Sequence, residues 1–284
     1  MSDLNLIKEL REKTGAGFLD CKNALKECDN DINQSIESLR KKGLAKATKK
    51  SSRDAKEGAV AFYKNNNISI VLKINSETDF SAKSDTFLDF VDYIGNLALD
   101  KNDKHLDLKS FMNLSENEKK ISDILNEMIA KIGENIIISE LKTFDNQNRN
   151  VSYYIHNPYR KNIGKIVSTV FYSSDEVNDE INSFSKNLCM HIAASKPEAM
   201  DIDQLSQETI DNENKIQKEI IQDSGKPSNV MEKILEGKMN KFYSEVTLLN
   251  QNFVIDPDKT IKEAIDEFNT SNTFKLIDYS LTSL

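Results

Sequence analysis

Between Ala59 and Leu99 the spacing of apolar residues changes twice, and each change marks an element boundary. Ala59, Ala61 and Tyr63, then Ile68, Ile70 and Leu72, recur at every second position on either side of Lys64-Asn65-Asn66-Asn67, which predicts a β-hairpin. After Ile74 the pattern stops at Asn75-Ser76-Glu77-Thr78-Asp79-Phe80-Ser81-Ala82-Lys83 and resumes at helical spacing in Phe87, Phe90, Val91 and Ile94. A hairpin whose second strand feeds a helix through a polar turn calls for a sheet with a helix packed on it, an α+β arrangement.

The turn itself puts an acid and an aromatic side by side at a strand-to-helix junction, where a fold positions side chains for contact. It reads two ways. In one, Thr78 or Asp79 caps the helix and Phe80 plugs the core beneath it. In the other, the pair faces a partner.

The rest of the chain surrounds this unit. The first fifty residues predict three short helices, with apolar stripes at Leu4, Ile7 and Leu10, at Leu19, Ala24 and Leu25, and at Ile32, Ile36 and Leu39. Thr14-Gly15-Ala16-Gly17 ends the first helix. Asp31 with Gln34 reads as a capping box for the third. Of Phe18 and Leu19, one is expected in the core and the other exposed. So small a module buries little area and needs something to dock on. Beyond Asp100–Asp107, read as a polar loop, a helix from about Ser115 to Ile132 and a buried strand over 134–141 are expected. The hairpin pattern then returns as Val151–His156, the loop Asn157–Asn162 and Ile163–Phe171, followed by a helix over Asp179–Ala194. Ile68 aligns with Ile163 and Phe90 with Phe184, an offset of 94 to 95 residues, which predicts internally repeated halves. Ser206–Ser224 and Ser228–Val246 predict two helices separated at Gly225-Lys226-Pro227. They form a projecting antiparallel, coiled-coil-like hairpin with its seam at Ile210, Ile216, Ile220, Val230, Ile234 and Phe242. A helix over Lys259–Phe268 and a strand over Phe274–Tyr279 close the chain. The domain expectation is therefore 1–52 for the N-terminal module and basic linker and 53–148 for the first half of the core. The second half takes 149–204 with 247–284, and 205–246 is an inserted hairpin.

Composition excludes several function classes. The net charge is −8, yet Arg40 to Lys56 carries eight basic residues against one acid, a local +7. Such a stripe could track phosphates, but it has no interleaved aromatics for stacking, so a solvated helix end and linker is the expectation and no specific nucleic acid is predicted. The three cysteines, Cys21, Cys28 and Cys189, show no metal or disulfide spacing, and a reducing cytoplasm fits them. The start is charged too early for a signal peptide, and no window approaches the about 20 apolar residues of a membrane helix. No phosphate-binding Gly-x-x-x-x-Gly-Lys-[Ser/Thr] loop occurs, so the chain is not expected to hold a nucleotide itself. No serine nucleophile elbow is present, and His105, His156 and His191 form no metal pattern. Neither an enzyme, a cofactor nor a metal site is predicted; the organisation is that of a protein that binds another protein.

Several stretches together resemble one family. Leu10-Arg11-Glu12-Lys13-Thr14-Gly15-Ala16-Gly17-Phe18-Leu19-Asp20-Cys21-Lys22-Asn23-Ala24-Leu25 is similar to the N-terminal signature of bacterial elongation factor Ts. Asn75–Lys83 resembles that family's central signature. Lys131-Ile132-Gly133-Glu134-Asn135, Met190–Pro197, Ser224-Gly225-Lys226-Pro227 and Phe253-Val254 match in order. The resemblance implies a guanine-nucleotide exchange factor for the GTPase elongation factor Tu, with an N-terminal module that is ubiquitin-associated-like. It implies partner contacts at Arg11, Phe18 and Leu19, at Thr78, Asp79 and Phe80, and at His156. The Asp79–Phe80 pair is expected beside the GTPase's magnesium site, and a homodimer through the helical hairpin is a further implication. Three departures stand out. The loop after His156 is longer than the family's glycine-rich version, Ser81 stands where valine is common, and the chain closes without the C-terminal helical extension of some members.

Overall fold

The computed structural model describes residues 3–222 and 227–284. Two compact units emerge, one of Met1–Gln147, Asn157–Ile166 and Thr282–Leu284, the other of Asn148–His156 and Val167–Leu281. The fold is mixed α+β with an N-terminal three-helix module.

The module comprises α1 (Asp3–Thr14), α2 (Phe18–Glu27) and α3 (Ile32–Lys50). Ile7, Leu10, Cys21, Ala24 and Leu25 are buried, with Leu6, Ile32, Ile36 and Leu39 packed against them. Leu4 and Leu19, expected on the apolar stripes, are exposed instead. The Asp31 cap is one-sided: its carboxylate accepts the Gln34 N–H at 2.9 Å, while the Gln34 amide turns to that same carboxylate rather than to the backbone. α3 also runs further than expected, so most of the basic linker is helical. Its reason is tertiary packing, because Arg40 pairs with Asp123 at 3.0 Å and a Cβ on Gly43 would lie 3.1 Å from Ala130.

In the first unit β1 (Glu57–Lys64) and β2 (Ile68–Ser76) form the expected antiparallel hairpin, with Glu57 opposite Ser76. Asn65 closes it by accepting the N–H groups of Asn67 and Ile68 through its side-chain oxygen. Next come α4 (Asp79–Ala82), α5 (Asp85–Asp100), α6 (Leu108–Asn113), β3 (Ser115–Glu116), β4 (Lys119–Lys120), α7 (Ile121–Ile132) and β5 (Ile137–Asp145). The helix expected from Ser115 starts only at Ile121, since Asn117 and Glu118 are left-handed (φ 48° and 68°) and close a two-residue hairpin instead. α6 was not expected; Asp107 caps it by accepting the Ser110 N–H at 2.6 Å. After β6 (Asn150–His156), β7 (Ile163–Gly164) completes a sheet of order β5-β2-β1-β7. Ile70, Leu72 and Ile74 pack in one core with Phe87, Phe90, Val91 and Ile94 of α5.

The strand expected over Ile163–Phe171 is two strands. Ile163 pairs with Ala61, and β8 (Ile166–Ser173) enters a different sheet. The second unit continues with α8 (Asp179–Ser195), α9 (Gln207–Gln222), α10 (Ser228–Val246), β9 (Asn252–Phe253), β10 (Asp256–Thr260), α11 (Ile261–Phe268) and β11 (Lys275–Ser283). Its main sheet has the order β11-β8-β6. Phe184 of α8 stacks on Phe268 with ring centroids 4.1 Å apart and meets Phe274 edge-on. α9 and α10 pack together, but Ile216, Ile220 and Val230 are exposed rather than in a seam. The inward face of α9 is Ile210, Asn214, Gln217 and Ile221, a helical row that includes two amides and so hides from a hydrophobicity pattern. Most of the expected break at Gly225-Lys226-Pro227 lies outside the described residues.

His191 is fully buried in α8. Its Nδ1 accepts the Val254 N–H at 3.3 Å, so Nε2 carries the proton and donates to Gln251 Oε1 at 2.9 Å. Burial lowers its pKa from the ordinary histidine value, and the Gln251 bond offsets this only in part. The unfolded chain therefore binds this proton first as pH falls, so His191 stabilises the fold above about pH 6.5 and that stability is lost as pH drops through the folded pKa. We predict that thermal melts from pH 7.5 to 5.5 fall more steeply for the native protein than for His191→Gln; equal slopes would contradict this.

Candidate partner-binding site

β2 delivers the chain to a junction that several side chains pin. Ser76 Oγ donates to the Thr78 carbonyl at 3.1 Å, and Asn75 Nδ2 donates to the Glu57 carbonyl at 3.1 Å. Thr78 is the N-cap of α4, with its Oγ1 accepting the Ser81 N–H at 3.2 Å. The opposite side of the junction comes from the end of α7, which Gly133 terminates in the left-handed region (φ 86°). There Glu134 accepts the Thr78 N–H at 3.1 Å and the Thr78 hydroxyl at 2.8 Å, while Glu77 accepts the Asn135 N–H at 2.7 Å.

On this mount α4 has two faces. Ser81 and Ala82 are buried against the core, and Phe80 is 84% exposed. The core-plug reading of Phe80 is thereby overturned, and so is the expected cap: the helix carrying Phe87 and Phe90 is capped by Ser84, whose hydroxyl accepts the Phe87 N–H at 3.3 Å, while Thr78 caps the separate α4. Asp79 is partly exposed and pairs with Lys83 at 2.9 Å; that hydrogen bond holds its carboxyl below the usual carboxylate range. An aromatic ring and an ionised acid thus stand at the surface with no enclosing pocket needed.

Arg11 lies exposed on α1. Phe18 and Leu19 open α2, 44% and 70% exposed, so neither is the core residue expected of the pair. The module carries these three on α1 and α2, and the turn carries Thr78, Asp79 and Phe80. His156 belongs to the second unit, exposed at the end of β6, where Tyr154 Oη lies 3.2 Å from its Nδ1. Tyr154 and His156 are two apart on one strand and so share a face.

Two features escaped the sequence reading. Arg160, in the long loop after His156, reaches Asp89 at 2.7 Å, Asp85 at 3.1 Å and Asp92 at 3.2 Å along α5. The signal was present as acids at helical spacing on one face, which call for a cation. The basic segment, in turn, is largely paired: Arg40 with Asp123, Lys42 with Glu27, Arg53 with Glu77 and Lys56 with Asp54. Lys50 donates to the Gly133 carbonyl. Among the described residues no group of acids, histidines or cysteines is arranged to hold a metal, and no helix is long and apolar enough to cross a membrane.

Comparison with known proteins decides the family. The family profile described as Elongation factor TS matches residues 77–282. A protein named Elongation factor Ts from Ehrlichia ruminantium (strain Welgevonden) is 39% identical over 283 residues, covering 98% of this chain and 97% of that relative. Another of that name, from Alkalilimnicola ehrlichii, is 40% identical over 263 residues, covering 92% of this chain and 86% of its own. The chain belongs to the elongation factor Ts family. It is by that membership an elongation factor of protein biosynthesis, and the turn carrying Phe80 falls inside the matched span.

Two stability predictions follow from the burial pattern of this family's turn as it stands here. Phe80→Ala should leave stability within about 0.5 kcal/mol, as surface changes do, whereas Phe87→Ala, fully buried seven residues on, should lose about 3–5 kcal/mol. Urea unfolding of both variants checks this, and equal losses would put Phe80 back in the core. Ser81 is buried, and its Oγ has no hydrogen-bond partner among the described residues. Ser81→Ala should therefore raise stability by about 1 kcal/mol in the same titration; a loss of stability would mean the hydroxyl is satisfied.

Proposed function

We propose that this chain is a guanine-nucleotide exchange factor that binds elongation factor Tu and promotes GDP release, without chemistry of its own. The observation that carries the reading is an exposed Phe80 beside an ionised Asp79 on a turn that is itself firmly held. An exposed aromatic on a fixed mount is the kind of side chain that anchors a protein–protein contact, since aromatic residues are enriched among interface hot spots.

The physical logic of exchange is competition at the metal and the phosphates. Magnesium is the largest local charge in a GTPase nucleotide site. Phe80 wedges apart the elements that hold it, and Asp79 engages groups freed by the shift. By linkage, a factor that weakens GDP binding is itself weakened by GDP in the same ratio. Arg11, Phe18 and Leu19 supply a second contact from the module, and His156 a third from the second unit. In this reading the chain works in the cytoplasm with no cofactor or metal of its own, and touches neither membrane nor a specific nucleic acid. Residues 1–52, 53–148, 149–204 with 247–284, and 205–246 act as the module, the two related core halves and a projecting hairpin that is available for homodimer contact.

The test is release of a fluorescent GDP analogue from elongation factor Tu. The native chain should accelerate release. Phe80→Ala at saturating concentration should lower the rate about tenfold or more, a factor worth 1.4 kcal/mol of barrier. No acceleration by the native chain, a native rate for Phe80→Ala, or tight stoichiometric GDP binding by the isolated factor would each overturn the proposal.

A further inference from the structure

A ring as exposed as Phe80 takes its direction from its backbone, because little of its surface is packed. That backbone is α4, a helix of four residues. One turn of helix does not hold itself in water, since nucleation fixes several dihedrals for a single hydrogen bond. What holds the start of α4 is its N-cap, Thr78, and what holds that residue is Glu134.

The Thr78 hydroxyl has one hydrogen and two lone pairs. Its hydrogen is committed to Glu134 Oε1 at 2.8 Å, which leaves a lone pair to accept the Ser81 N–H at 3.2 Å. The other oxygen of the same carboxylate accepts the Thr78 N–H at 3.1 Å. Glu134 thus fixes both the backbone of the cap and the rotation of its hydroxyl. The arrangement is reciprocal: Glu77, one residue before the cap, accepts the Asn135 N–H at 2.7 Å, one residue after Glu134. Bonds to an ionised carboxylate are shorter and stronger than neutral ones, so the clasp is stiff for its size.

We propose that Glu134 is a positioning residue for Phe80: through Thr78 it fixes the orientation of α4, so that the ring meets its partner in one direction. The inference rests on the reading of Phe80 as the intruding group, yet its geometric half stands apart from exchange and is testable without the GTPase.

The chain contains no tryptophan, so Phe80→Trp installs a single reporter at the ring position. Time-resolved fluorescence anisotropy of the full-length Phe80→Trp protein should show a restricted indole. Adding Glu134→Ala should at least double, roughly, the amplitude of its sub-nanosecond depolarisation. In exchange assays Glu134→Ala in the native background should lower the saturated GDP-release rate about fivefold and leave the half-saturating concentration within about twofold, the pattern of an interaction used in the transition state. Phe80→Ala placed on top should then cost about threefold or less, because the two residues act as one unit. If Glu134→Ala melts near the assay temperature, Glu134→Gln, which keeps the volume and one acceptor, takes the same two measurements. Unchanged anisotropy overturns the positioning role whatever the exchange assay gives. A native release rate for Glu134→Ala, or a Phe80→Ala effect equally large in both backgrounds, also overturns it. A native chain that fails to release GDP while the anisotropy responds overturns the exchange reading and leaves Glu134 as the residue that orients the ring.

Discussion

A side chain that meets a partner has to be uncovered and yet held, and the two demands conflict because packing is the usual means of holding. In the proposed reading Phe80 faces this conflict, and the restraint lies on the backbone rather than on the side chain. Ser81 and Ala82 anchor the inner face of α4, Thr78 caps it, and Glu134 and Glu77 tie the cap to the end of α7. Everything upstream serves that junction. The strand pair β1–β2 gives the turn a rigid origin, and α5 lies against the sheet through Phe87, Phe90 and Ile94, so the chain leaves the turn along a fixed line. The four residues of α4 then inherit an orientation they could not maintain alone.

The end of α7 serves a second purpose in the same unit. α3 packs on α7 near Ala130, closely enough that Gly43 has no room for a larger side chain without displacement. Lys50 donates to the Gly133 carbonyl, one residue before Glu134. The seat of the N-terminal module and the clasp of the Phe80 turn therefore converge on Gly133-Glu134-Asn135. This explains how a module with so small a core of its own acquires a defined place. It also explains why a basic stretch that reads as a linker is a helix: its cations have partners that only the tertiary fold brings near.

Much of the architecture was legible in the sequence because it depends on periodicity. The β1–β2 hairpin, α5, α8 and the three opening helices follow from apolar spacing. What the spacing could not carry was structure made by contact. The split of Ile163–Phe171 between two sheets follows from Ile163 pairing with Ala61, a partner one hundred and two positions away. The β3–β4 hairpin depends on two left-handed residues, one of them Glu118, which no turn rule favours there. The seam of α9 includes Asn214 and Gln217, so a search for apolar rows selected Ile216 and Ile220 on the wrong face. For Arg160 the acids of α5 were readable at helical spacing but not the cation that meets them, and the bonds of Glu134 to Thr78 depend on a neighbour that only the fold delivers.

The apolar residues that misled the sequence reading share a property. Leu4 and Leu19 fall on helical stripes that predict burial, one of Phe18 and Leu19 was expected in the core, and one of the two readings of Phe80 buried it; all four are exposed. Periodicity records that a position is apolar and in register, and it cannot record whether the surface it faces belongs to the same chain. An apolar residue that packs against its own core and one that packs against another protein obey the same transfer energetics. For Phe80 the distinction lies in its neighbours. Ser81 and Ala82, small and buried, take the inner face of α4, and Phe80 stands on the outer one. With the inner face of so short a helix taken by its smallest residues, the ring on the other face stays at the surface, which is where the proposed partner contact needs it.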